Sequence, residues 1–118
     1  MTPKRGDRAA PPPSGDEWDV RFDTAEAAKG WEEFGQQAAS AVRTCFDILR
    51  TDPAPQPETA RQHRLRGRAL STGIRRGVAL PQWEYEVTGG GRVRYLVDVD
   101  NRTVWLVKAS IRHPKDTE

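Results

Sequence analysis

The chain is predicted to fold as an α+β domain: a small, mostly antiparallel sheet with an N-terminal strand, a two-helix hairpin packed on one face, then a three-stranded β-meander. Three observations predict it. Apolar and polar residues alternate over residues 18–22 (Trp-Asp-Val-Arg-Phe), as in a half-buried strand. Ala27, Ala28, Trp31 and Phe34, then Ala38, Ala41, Val42, Cys45, Phe46, Ile48 and Leu49, recur at helical spacing. Trp83, Tyr85 and Val87, then Val93, Tyr95, Val97 and Val99, alternate on either side of Gly89-Gly90-Gly91, which marks a β-hairpin.

Residues 1–15 hold three consecutive prolines and no large aliphatic or aromatic residue beyond Met1. Such a segment buries too little surface to offset its ordering entropy. A disordered tail is expected there, and a single folded domain over 16–118. After the first strand, Asp23 and Glu26 have capping-box spacing, with Asp in the place of Ser or Thr. A helix should follow and end at Gly35. A second helix of about four turns should run from Gln36 to the stop at Asp52-Pro53. Cys45 lies among Val42, Phe46 and Leu49 and is read as a buried core thiol rather than a nucleophile.

Residues 52–61 contain three prolines and read as a surface loop. The segment 62–81 resists assignment, and Gly67, Gly73 and Gly77 argue against a long helix in it. In the hairpin, apolar odd positions must share a face, so paired residue numbers must sum to an even value. A three-residue glycine loop then sets Thr88 opposite Arg92, Glu86 opposite Arg94 and Tyr85 opposite Tyr95. The other face carries Glu84, Glu86, Arg92 and Arg94 side by side. Residues 104–109 form a further strand, apolar on both faces and so central. Pairing Val107 with Tyr95 brings Lys108 and Ser110 beside Arg94 and Arg92.

The 118 residues carry a net charge of only +2, unevenly spread. Residues 16–33 hold seven acids against two bases, and residues 59–83 hold six arginines and no acid. A concentrated basic segment suits a phosphate-bearing partner. No run of apolar residues is long enough to span a membrane, and residues 1–16 lack the apolar stretch of a signal peptide. A cytoplasmic protein with no membrane partner is expected. One cysteine excludes an internal disulfide and a multi-cysteine zinc site. Gly89-Gly90-Gly91 is a turn rather than a phosphate loop, because no helix follows it. His63 has no nameable partner and is read as structural or solvated.

Strand–helix–helix, a Leu-x-Gly element (Leu65-Arg66-Gly67), and Arg-x-x-Tyr on the second hairpin strand (Arg92-Val93-Arg94-Tyr95) together resemble the RelE/ParE toxin superfamily. The basic ending Arg112-His113-Pro114-Lys115 resembles it too. The resemblance spans residues 18–115 and implies the toxin half of a type II toxin–antitoxin pair. RelE-like members cleave mRNA in the ribosomal A site, the ribose 2′-OH attacking the adjacent phosphate. ParE-like members poison DNA gyrase, and fold alone does not choose between them.

By position, the resemblance implies that Arg92 contacts the scissile phosphate and His113 acts in proton transfer. Arg94, Lys108, Arg112 and Lys115 would surround them with positive charge. Glu84 and Glu86 stand where some members carry lysines. Glu86 would serve as general base, or pair with Arg94 across the hairpin at about 0.2–1 kcal/mol. No tyrosine follows the last strand, where some members place a catalytic one. Arg64, Arg66 and Arg68 are candidates for RNA phosphate contacts, which give affinity without sequence choice. The implied partners are an adjacently encoded, DNA-binding antitoxin, mRNA and the ribosome, with no cofactor or metal. An inactive RNA-binding relative is the third reading.

Overall fold

The computed structural model describes residues 3–9 and 11–111. The elements run β1 (Asp19–Phe22), α1 (Ala25–Gln37), α2 (Ala39–Thr51), β2 (Gln62–Arg64), β3 (Thr72–Arg75), β4 (Val78–Glu86), β5 (Arg92–Asp98) and β6 (Thr103–Ser110). The sheet order is β1-β6-β5-β4-β2, with β3 paired to the first half of β4. All pairings are antiparallel except β1 with β6. The α+β class stands, and β6 is an interior strand. Two strands join the expected meander, because the arginine-rich connector lies along β4 as β2 and β3.

One face of the sheet carries Tyr85, Val93, Tyr95, Val97, Val104 and Leu106, packed against Ala27, Trp31 and Phe34 of α1 and Val42, Cys45 and Leu49 of α2. Burial pushes the Cys45 thiol up, as befits an inert core residue. Tyr95 is fully buried, and its hydroxyl donates to the Pro53 carbonyl at 2.7 Å and accepts from Gln62 Nε2 at 3.0 Å. Gln62 Nε2 also donates to the Asp52 carbonyl at 3.0 Å. These bonds tie the proline-rich loop to the sheet, and Ala54 of the loop packs against the core.

Helix α1 begins one residue later than its capping pattern predicts. Thr24, not Asp23, is the N-cap: its Oγ1 accepts from the Ala27 amide at 2.9 Å and donates to the Val107 carbonyl at 2.9 Å. Asp23 is engaged by Arg75 at 3.0 Å instead. Gly35 lies inside α1, and the break comes at Ala38, a single residue shared as the cap of both helices. A lone helical glycine costs about 1 kcal/mol, too little to end a helix whose apolar face is docked.

The β4–β5 register keeps the expected parity but slips by two residues. Glu86 pairs with Arg92, Glu84 with Arg94, and Tyr85 with Val93. The loop is five residues rather than three, closed by Val87 N–H to the Gly91 carbonyl (3.0 Å) and Gly91 N–H to Thr88 Oγ1 (2.9 Å). Across β5–β6, Arg94 faces Lys108 and Arg92 faces Ser110, as expected. A bulge between Arg94 and Tyr95 then brings Leu106, not Val107, opposite Tyr95. The bulge keeps both Lys108 and Trp105 on the face away from the helices.

Within the segment expected to be disordered, residues 6–9 lie along β1. Gly6 N–H donates to the Phe22 carbonyl (2.8 Å), Phe22 N–H to the Asp7 carbonyl (3.0 Å) and Ala9 N–H to the Val20 carbonyl (2.8 Å). Asp19 holds both Arg8 (2.9 Å) and Arg21 (2.7 Å). The segment satisfies the otherwise open edge of β1. Composition carries little sign of this, since backbone bonds and one carboxylate supply most of it, with Ala9 as an apolar contact.

Two predictions follow from this packing. A methyl group on Gly30 of α1 would collide with the Ala109 carbonyl of β6. Gly30→Ala should therefore destabilise the chain by about 1–3 kcal/mol in denaturant unfolding, as overpacking does. Burial pushes the Asp19 carboxyl up, but the hydrogen bonds and charges of Arg8 and Arg21 outweigh it and hold the group below its ordinary value of 3.8. The stability it lends is thus complete above that value and is lost as pH falls through the folded one. Asp19→Asn should remove that acid dependence and speed exchange of the Ala9 amide hydrogen.

Candidate functional site

The sheet face away from the helices is divided in two. Over its first part the β3–β4 hairpin folds across the sheet. Its tip turns at Arg76-Gly77, with φ of 51° and 80°, as a two-residue hairpin loop requires. Gly73 lies against Leu96, and the Arg75 guanidinium stacks 3.8 Å from the Trp105 ring centre while pairing with Asp23.

Over the second part, one row of side chains crosses four strands in direct register. His63 of β2 faces Glu84 of β4, Glu84 faces Arg94 of β5, and Arg94 faces Lys108 of β6. The next row is Glu86, Arg92 and Ser110. Glu84 Oε2 accepts from Arg94 Nε at 3.1 Å. Glu84 Oε1 lies 3.7 Å from Arg92 Nε and 4.0 Å from His63 Nε2. Arg92 also pairs with Glu86 at 3.1 Å, and its Nη1 donates to the carbonyls of Thr88 (3.2 Å) and Gly91 (3.1 Å).

The row of Glu84, Glu86, Arg92 and Arg94 is largely closed to solvent, Glu86 alone being partly open. Glu84 is 3% exposed and Arg94 4%. Burying two charges costs several kcal/mol each unless they are paired and hydrogen-bonded, and here they are. Arg92 braces the hairpin loop and both carboxylates rather than standing free on the surface. The partly open side chains lie toward the β2 edge: Glu86 at 31%, His63 at 38%, and Arg61, which pairs with Glu86 at 3.6 Å, at 57%. Lys108 is half-buried at the far end of the row and forms no ion pair with the described residues.

The arginine-rich segment does not form one patch. Arg64 donates to the Ser71 carbonyl at 2.8 Å, Arg66 pairs with Glu58 at 3.1 Å, Arg61 turns to Glu86 and Arg75 to Asp23. Among the described residues, only Arg68 and Arg76 of this segment stand exposed without an ion pair or hydrogen bond. Three of its six arginines, Arg61, Arg66 and Arg75, pair with acids from outside the segment. Arg112, His113 and Lys115, three of the expected site residues, lie outside the described residues. The reading of His63 as structural or solvated missed its register with Glu84. Gln62-His63-Arg64 is too short for alternation to show, so the sequence held no signal for it.

Among the described residues, no cluster of His, Cys, Asp or Glu is placed to hold a metal ion, and no helix is long and apolar enough to cross a membrane. What the row can do chemically is narrower: two carboxylates, an imidazole and several cations meet on rigid strands, the buried members fixing the open ones. Compared with family models, curated proteins and solved structures, the chain matches none.

The buried pair is directly testable. Glu84→Ala removes the carboxylate to which Arg94 donates, and thermal or denaturant unfolding should show a loss of about 3–5 kcal/mol. Replacing both partners by apolar residues of similar size, Glu84→Leu with Arg94→Met, should recover much of that loss.

Proposed function

We propose that the chain is a RelE-like toxin, a ribosome-dependent endoribonuclease acting in the cytoplasm on mRNA and restrained by an adjacently encoded antitoxin. The observation that carries this is the row of acid, imidazole and cation side chains on the sheet face the helices leave uncovered, at the strands where the sequence resembles that superfamily. RNA cleavage by the 2′-OH needs a base for its proton, cations for the developing phosphorane charge, and a donor for the leaving oxygen. Glu86 is the more open of the two carboxylates and suits the base. Lys108 is the cation of the row that no described acid neutralises. Arg92 contributes by holding Glu86 and the loop.

A second reading has an observation of its own. Arg92 and Arg94 are matched by Glu84 and Glu86, which leaves the centre of the face nearly neutral. A toxin that acts by binding a protein target such as DNA gyrase needs no free phosphate-binding arginine there.

Induction of the chain without its genomic neighbour, followed by mapping of new RNA 5′ ends, separates the two. New ends inside translated frames, lost when translation is blocked, are expected. Growth arrest without new ends would favour the binding toxin. Lys108→Ala should weaken RNA binding and lower its salt dependence, as loss of a phosphate-contacting cation does, while leaving antitoxin binding intact.

A further inference from the structure

We infer that His63 is the proton donor to the leaving oxygen, acting opposite Glu86 with Arg61 on the phosphate between them. The inference rests on the ribonuclease reading above and adds two residues to it. Three observations carry it. His63, Glu86 and Arg61 are the partly open members of an otherwise buried charge network. His63 faces Glu84 directly across β2–β4, and Glu86 lies two residues further along β4. Such diagonal cross-strand neighbours are about 7–8 Å apart, room for one phosphodiester with a proton-transfer group on either side. The long 3.6 Å pairing of Arg61 with Glu86 is a contact that a phosphate oxygen could take over.

Glu84 has the positioning role. Its carboxylate, fixed by Arg94 at 3.1 Å, lies 4.0 Å behind His63 Nε2. That separation exceeds a hydrogen bond, and catalytic contacts often tighten only when substrate is bound. A buried carboxylate behind a partly open imidazole steadies its orientation.

The step balances. Glu86 takes the 2′-OH proton as the 2′ oxygen bonds to phosphorus. The bond from phosphorus to the 5′ oxygen breaks, and His63 gives that oxygen its proton. The products are a 2′,3′-cyclic phosphate and a 5′-OH, and both residues regain their starting states by proton exchange with water.

The test is cleavage of mRNA on translating ribosomes by purified wild-type protein and by His63→Ala, with and without added imidazole. His63→Ala is expected to lose about 100-fold in rate, the scale of general acid catalysis, and to regain part of it with imidazole. Its unfolding midpoint, and that of His63→Gln, should stay near wild type, since the residue lies at the sheet edge. Cleavage by His63→Ala near the wild-type rate, or a loss that imidazole leaves unchanged, overturns the assignment. No cleavage by the wild-type protein overturns the ribonuclease reading itself, and this assignment with it.

Discussion

The Glu84 carboxylate, held by Arg94 and flanked by Arg92, is the contact on which the polar half of the molecule depends. A carboxylate this buried is tolerable only with its cations in place, so it selects one alignment of β4 against β5. With Glu84 opposite Arg94, Glu86 falls opposite Arg92, and the chain between them must close as a five-residue loop. The guanidinium of Arg92, bonded to the Thr88 and Gly91 carbonyls, completes that loop. The β4–β5 register, the loop length and the placement of Glu86 and Arg92 are consequences of one buried pairing.

The two faces of the sheet are closed by different physics. Toward the helices, burial of Tyr95, Phe34, Leu49 and Leu106 supplies the non-directional hydrophobic term. On the other side, the β3–β4 hairpin covers Leu96 and Trp105 with the help of the stacked Arg75, and the remainder is closed by ion pairs. Directional contacts tolerate fewer geometries than apolar ones. The polar half is accordingly the place where side chains are held to fixed positions, as chemistry on a rigid scaffold requires.

The charge asymmetry along the chain takes another form in space. The basic segment meets acids from elsewhere: Arg75 reaches Asp23, Arg61 reaches Glu86, and Arg66 reaches Glu58. Half of the basic stretch thus serves as structural clamps, and Arg68 and Arg76 stay open.

Local pattern alone determined a good part of this protein. Alternation in residues 18–22, 82–87 and 93–97, and helical spacing in residues 27–49, placed β1, β5, the second part of β4, both helices, the core face with Tyr85 and Tyr95, and the even parity of the hairpin. These features repeat every two or 3.6 residues and are legible wherever the repeat is long enough. Tertiary structure alone decided the rest. The two-residue slip of β4 on β5, the transfer of the α1 cap from Asp23 to Thr24, the burial of Glu84 and Arg94, and the alignment of His63 with Glu84 all depend on partners far away in sequence. Periodicity says which face a side chain takes, but what lies opposite it, and whether water reaches it, is set by the elements that pack there.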